Sequence, residues 1–141
     1  MENSKALALV SGVVVLDQLL KQWALHLAEP ITIIPGVFSL ALATNTGSAF
    51  GILQNQNLLL AILSFLVIGL LGYYYFRGDG SLSRPGLLLV AAGAFGNLID
   101  RIFLGHVVDF VDFSFWPAFN LADSAITLGI AVLILNLWRK P

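Results

Sequence analysis

Two aspartates, Asp109 and Asp123, are the residues of this sequence whose type and surroundings best suit chemistry. They lie on either side of an aromatic connection that contains Trp116 and Pro117, in a chain with few charges. Carboxylates in apolar surroundings are unfavourable and are usually retained for function, where they transfer protons or bind cations. Asp109 and Asp123 are therefore the first candidates for a functional site.

The composition sets the surroundings in which these aspartates must work. Hydrophobic residues make up 58% of the 141 residues and charged residues 11%, whereas a soluble domain carries about 25% charged residues. The mean hydropathy of +0.90 excludes an ordinary soluble globular protein. A net charge of -1 without a Lys/Arg run argues against nucleic-acid binding. Since there is no cysteine, disulfides and thiolate metal sites are excluded.

Four apolar runs are long enough to cross a bilayer, which takes about 20 helical residues. They cover residues 6–25, 57–76, 85–104 and 119–138. The first run contains Asp17 and Lys21 and is longer than the apolar region of a signal peptide, so we expect it to remain in the mature protein. The sequence predicts one integral-membrane domain over residues 1–141.

The basic residues that flank the four runs predict their orientation. Lys5, Arg77, Arg84, Arg139 and Lys140 all fall on one side, whereas the connections over 26–56 and 105–118 contain no Lys or Arg. By the positive-inside rule, both termini face the cytoplasm.

The outer connection over residues 31–53 has features of β structure. A Pro35-Gly36 turn precedes a partly alternating stretch from Phe38 to Thr44, which favours a small hairpin or sheet. The predicted fold is an all-α membrane protein of four transmembrane helices with a small β-sheet or hairpin on the outer, periplasmic face.

On this topology, separate parts of the chain send polar residues to the same outer level. A charge at the centre of a membrane helix costs about 2.5–3.5 kcal/mol, so a shared polar site explains these residues better than scattered charges. They are Asp17, Lys21, Asn45, Asn97, Asp100, Arg101, Asp109, Asn120 and Asp123.

Several of these residues also have structural interpretations. Asp17 and Lys21 are four residues apart on one helical face and can neutralise one another, a structural role that we favour. The neighbours Asp100 and Arg101 point in different directions, so each needs another partner. Asn120 suits either a bridging amide or a helix N-cap, and both remain open.

Other residues favour structural interpretations alone. Asp112 suits a solvated charge on an outer strand. Small residues mark where helices can pack closely, namely Gly69 and Gly72 in the second run and Ala92, Gly93, Ala94 and Gly96 in the third.

Five motifs together resemble the bacterial lipoprotein signal peptidases, or signal peptidase II, over nearly the whole chain. Any one motif is weak, and their order makes the set specific; Ala92, where a second glycine is expected, is a small departure. The motifs are Asp17-Gln-Leu-Leu-Lys21, Asn45-Thr-Gly-Ser-Ala-Phe50, Gly93-Ala-Phe-Gly-Asn97-Leu-Ile-Asp100-Arg101, Val107-Val-Asp109-Phe110 and Phe119-Asn120-Leu-Ala-Asp123.

The resemblance implies an intramembrane aspartic endopeptidase in which Asp109 and Asp123 form the catalytic dyad. Its substrate would be a diacylglyceryl-modified prolipoprotein, cleaved before the lipidated cysteine, in the bacterial inner membrane. Such a dyad needs no metal and no cofactor, and we expect a monomer whose contacts are the lipidated substrate and membrane lipid. The residues that would surround the dyad and bind substrate are Asn45, Gly93, Asn97, Asp100, Arg101 and Asn120, while Asp17 and Lys21 would support the scaffold.

Other classes agree less well with the residues. The HExxH motif of a metalloprotease is absent, and Ser48 with Lys21 lacks the nucleophile-elbow pattern of a hydrolase. A small proton- or cation-coupled transporter also uses intramembrane carboxylates. Its polar groups should however lie near the membrane midplane, whereas these lie at one end.

Overall fold

The computed structural model describes residues 3–47, 52–78 and 82–138. Four helices, α1 (Asn3–Leu25), α2 (Asn57–Arg77), α3 (Arg84–Phe103) and α4 (Leu121–Trp138), are each long and apolar enough to span a bilayer. The four predicted runs are thus helices. Arg139, Lys140 and Ser48, which entered the sequence analysis, lie outside the described residues.

Four antiparallel strands form a sheet in the order β1-β2-β3-β4. The strands are β1 (Ile31–Ile34), β2 (Phe38–Asn45), β3 (Val107–Phe113) and β4 (Trp116–Phe119). The predicted hairpin is confirmed as β1 and β2, joined at Gly36, whose φ of +72° suits glycine in a tight turn. The predicted β region was incomplete, since residues 107–119 contribute the other two strands.

The start of the fourth helix differs from the prediction by two residues. Residues 116–119 form β4, which pairs with β3, and α4 begins only at Leu121. The apolar run continues through both elements, so hydropathy alone could not separate the strand from the helix.

Helix α3 lies at the centre of the helical layer. In an apolar stretch of 18 residues of α3, 61% of the residues are buried, against 17% or less in the corresponding stretches of the other three helices. Helices α1, α2 and α4 each pack against α3. A Cβ on Gly93 would collide with the carbonyl oxygen of Ala122, and one on Gly86 would lie 2.8 Å from Leu133 Cγ. Glycine therefore allows α3 and α4 to approach closely.

The prediction of close packing was wrong for the two glycines of α2. A Cβ built on Gly69 or Gly72 meets no atom of the described residues within 4 Å. Small size alone does not show which helical face is buried, and α2 turns these glycines away from α3.

The sheet is joined to the helices through a small apolar cluster. Ala24 of α1 packs with Val108 and Phe110 of β3, and all three side chains are buried. This packing fixes β3 against the end of α1, next to the beginning of α4.

Candidate active site

Asp123 lies in the first turn of α4, where Asn120 caps the helix. The backbone N–H of Asp123 donates to Asn120 Oδ1 at 2.9 Å, and the backbone N–H of Asn120 donates to Asp123 Oδ2 at 3.2 Å. This reciprocal pair is a capping box. It fixes the position of one Asp123 carboxylate oxygen at the helix N-terminus.

Asp109 lies on β3 and is held from two sides by amides. Asn120 Nδ2 donates to Asp109 Oδ1 at 2.7 Å, and Asn45 Nδ2, at the end of β2, donates to Asp109 Oδ2 at 3.2 Å. Because Asn120 also bonds Asp123, one side chain connects both aspartates. The structure thus brings Asp109 and Asp123 to the same site.

The pKa of Asp109 is raised to about 7. Burial is the main cause, since it disfavours the charged form, and the negative charge of Asp123 adds to it. Hydrogen bonds from Asn45 and Asn120 act in the opposite direction. Asp109 is therefore protonated below about pH 7 and about half protonated at that pH.

Asn97 of α3 holds the other carboxylate oxygen of Asp123, the one that is not part of the capping box. Its Nδ2 donates to Asp123 Oδ1 at 2.8 Å, while its Oδ1 accepts from Lys21 Nζ at 2.9 Å and from Asn120 Nδ2 at 3.1 Å. The two acceptor contacts fix which end of the Asn97 amide faces Asp123.

Arg101 faces the same cavity from the end of α3. Its NH2 donates to the carbonyl oxygen of Gly47 at 3.2 Å, and a Cβ on Gly47 would lie only 2.7 Å from the carbonyl oxygen of Ile52. As the sequence predicted, Arg101 does not pair with Asp100, which points to the far side of α3.

A cavity of about 1200 Å³ adjoins the two aspartates. Its polar end contains Asn45, Asn97, Arg101, Asp109 and Asp123. From there it continues between helices along an apolar wall. That wall includes Leu60, Leu63, Val67, Val90, Ala94, Ile126, Leu128 and Ile130.

The hydroxyl groups along this wall are occupied within their own helices. Ser64 donates to the carbonyl oxygen of Leu60 at 2.8 Å, Ser124 to that of Asn120 at 3.1 Å, and Thr127 to that of Asp123 at 2.8 Å. The wall is therefore less polar than its residue types indicate.

Three of the residues that the sequence placed around the dyad lie behind the cavity wall. Gly93 packs against Ala122, Asp100 is 2% exposed and bonds Lys21, and Asn120 is fully buried. In this structure the packing of α3 and α4 separates these three residues from the cavity, and their contact with substrate stays a prediction.

Two polar residues that connect elements near the site were not predicted from the sequence. Gln18 Nε2 donates to Asp100 Oδ1 at 2.9 Å and to the carbonyl oxygen of Gly96 at 3.1 Å. Asn57 Nδ2 donates to the carbonyl oxygen of Arg101 at 2.9 Å. Gln18 was detectable as the polar neighbour of Asp17 in a membrane helix. Among the described residues, no group of three or more His, Cys, Asp or Glu residues could hold a metal ion.

The family model of signal peptidase II matches residues 9–139. The chain belongs to the signal peptidase II family. The lipoprotein signal peptidase of Halothermothrix orenii is 44% identical over 133 residues, covering 91% of each chain. That of Streptococcus thermophilus is 46% identical over 132 residues, covering 89% of this chain and 86% of the relative.

Solved structures agree with the signal peptidase II assignment. A bacterial membrane enzyme determined by the in meso method at 2.3 Å resolution has a TM-score of 0.87 and 28% identity, covering 96% of this chain and 88% of that one. A second, at 1.9 Å resolution, has a TM-score of 0.82 and 29% identity, covering 98% and 95%. The resemblance found in the sequence is confirmed, and the chain is an aspartic peptidase rather than a transporter. With four membrane-spanning helices, this signal peptidase II is a multi-pass protein of the bacterial inner membrane.

Proposed function

We propose that this protein is an intramembrane aspartic endopeptidase that removes the signal peptide from diacylglyceryl-modified prolipoproteins, cleaving before the lipidated cysteine. The observation that carries the proposal is the pair Asp109 and Asp123, bridged by Asn120 at the polar end of a cavity with a long apolar wall. The polar end suits a peptide bond, and the apolar wall suits a signal sequence and acyl chains.

In the proposed reaction, Asp123 is the base and Asp109 the acid. Asp123 removes a proton from a water whose oxygen attacks the scissile carbonyl carbon, while Asp109 gives its proton to the carbonyl oxygen. In the second step Asp109 takes that proton back, Asp123 gives its proton to the leaving nitrogen, and the C–N bond breaks. The raised pKa of Asp109 supports its role as the acid.

Asn45, Asn97 and Arg101 share the polar end of the cavity with the dyad. The side-chain amides of Asn45 and Asn97 each donate one hydrogen bond to one of the two carboxyl groups. We assign to Arg101 a contact with substrate oxygen atoms. Its planar guanidinium offers several N–H donors to carbonyl or ester oxygens.

The substrate class is tested with two peptides that share one lipobox sequence, only one of which bears the diacylglyceryl group. We expect cleavage before the cysteine, with kcat/KM at least about tenfold higher for the lipidated peptide, because acyl chains bury apolar surface in the cavity. Cleavage products identified by mass spectrometry, from purified enzyme in detergent, measure both quantities. Equal kcat/KM for the two peptides, or cleavage elsewhere, would contradict the proposal. Activity per molecule should not change on dilution, because one chain supplies both aspartates.

We further propose that both termini face the cytoplasm and that the dyad and the sheet lie toward the outer face. The basic residues Lys5, Arg77 and Arg84 lie at the opposite ends of the helices from Asp109 and Asp123. An impermeant reagent should label a terminal tag only after the cytoplasmic side is opened. Labelling of intact cells from outside would exclude this orientation.

A further inference from the structure

Behind the dyad lies a second set of charged residues that the proposed reaction does not use. Asp17, Lys21 and Asp100 are 0%, 1% and 2% exposed, and all three lie behind the cavity wall. Lys21 Nζ lies 2.8 Å from Asp17 Oδ2 and 3.0 Å from Asp100 Oδ2. One ammonium group thus joins two buried carboxylates from different helices.

Each of these carboxylates also accepts a backbone N–H, and the two N–H groups occupy corresponding positions. Asp100 Oδ2 accepts from the N–H of Val108 at 3.0 Å, and Asp17 Oδ1 accepts from the N–H of Ala122 at 2.9 Å. Val108 directly precedes Asp109, and Ala122 directly precedes Asp123. A continuous chain of contacts therefore runs through Lys21 from the residue before one aspartate of the dyad to the residue before the other.

Charge neutralisation alone does not account for this arrangement. The pair of Asp17 and Lys21 on α1 would satisfy it, without Asp100 on α3 and without either backbone bond. Buried ion pairs are moreover poor sources of stability, since desolvation of the charges offsets much of their attraction. Gly96 completes the arrangement, because a Cβ there would lie 2.5 Å from Asp17 Oδ2.

We propose that Asp17, Lys21 and Asp100 form a clamp that sets the separation of the two catalytic aspartates. Lys21 is its central positioning residue, and it also fixes Asn97, which bonds Asp123. The proposal rests on the assignment of Asp109 and Asp123 as the dyad. The clamp holds β3 and the first turn of α4 at a fixed spacing, because both backbone segments bond to carboxylates that share one ammonium.

Two substitutions of Asp100 separate the hydrogen-bond acceptor from the charge. Asp100→Asn keeps an oxygen that can face Lys21 Nζ and the Val108 N–H, whereas Asp100→Leu has a similar volume without an acceptor. We expect Asp100→Leu to lower kcat about 100-fold, since a shift of about 1 Å in catalytic groups has effects of this size. Asp100→Asn should stay within about tenfold of the unmodified enzyme, and KM should change little in either variant, because the clamp does not touch substrate.

Two further variants keep the proposal testable if Asp100→Leu does not fold. Gln18→Leu removes the amide that bonds Asp100 Oδ1 and leaves every charge in place, and it should lower kcat about tenfold at constant KM. Leu87→Ala, in the apolar cluster at the other end of the helices, is the control for stability. It should lower Tm without changing kcat at temperatures where the protein is folded.

The outcomes distinguish the clamp from the dyad. A lower kcat in Gln18→Leu and a larger decrease in Asp100→Leu than in Asp100→Asn, at unchanged KM, support the clamp. Unchanged kcat in Gln18→Leu, or equal kcat in the two Asp100 variants, overturns the clamp and leaves the dyad untouched. Full activity of Asp109→Asn or Asp123→Asn instead overturns the dyad itself.

Discussion

Asp109→Asn and Asp123→Asn are each expected to lower kcat by about 10,000-fold, the upper range for loss of a general acid or base. Asparagine has nearly the shape of aspartate but can neither take up nor release a proton at these pH values. KM should change little, because the cavity that holds the substrate is unaltered. Steady-state cleavage of a diacylglyceryl lipobox peptide at saturating concentration by each purified variant measures kcat.

Asp112→Asn is the matched control for these substitutions, because Asp112 lies on the same strand as Asp109 but does not contact the dyad. It accepts a hydrogen bond from the Ser39 hydroxyl at 3.4 Å. It should retain full activity. Tm should be recorded for all three variants, since Asp123 also belongs to the capping box of α4. A folded Asp109→Asn or Asp123→Asn enzyme with more than about a tenth of normal kcat would exclude the acid–base pair.

The activity should decrease in alkaline solution with the titration of Asp109. Its pKa is raised to about 7, so Asp109 carries the proton of a general acid below that pH and loses this proton above it. We expect kcat/KM to fall about tenfold per pH unit well above the pKa and to be about 50-fold lower at about pH 9 than at about pH 7, where about half of Asp109 is protonated. The same shift makes the folded protein less stable as pH rises from about 4 to about 7, since the folded state binds the extra proton.

Asn45→Ala tests the cause of this limb of the pH profile. The amide of Asn45 donates to Asp109 Oδ2 and lowers its pKa by favouring the charged form. Its removal should move the alkaline limb to higher pH, whereas Asp112→Asn should leave the limb in place. A profile that is flat to about pH 9, or a limb that moves to lower pH in Asn45→Ala, would contradict the assignment of Asp109 as the acid.

The sequence predicted the common level of the polar residues because helix length and charge asymmetry determine topology in a membrane. The role of Asn120 could not be predicted in the same way. Its two interpretations, a helix cap and a bridging amide, were treated as alternatives, and the structure contains both. A carboxamide has one acceptor and two donors, so a single side chain can cap α4 and hold Asp109.

The contacts between distant segments were not predictable from local patterns. Asp17 bonds the N–H of Ala122, which is 105 residues further along the chain, and no periodicity encodes such a pairing. Of the second pair of strands, β3 was predicted only in part, through the placement of Asp112 on an outer strand, and β4 was missed. Asp109 and Asp112 fall on opposite faces of β3, and Pro117, which cannot donate a hydrogen bond to a neighbouring strand, lies within β4.

The hydroxyl groups of Ser64, Ser124 and Thr127 donate hydrogen bonds to backbone carbonyl oxygens four residues earlier in the chain. Polar side chains of a peptide that lies along this wall therefore find few hydrogen-bond partners. Such a peptide is selected by its size and its hydrophobicity. Selection of that kind tolerates sequence drift. It would let one peptidase cleave many precursors whose signal sequences differ. Sequence specificity would then be confined to the few residues beside the scissile bond.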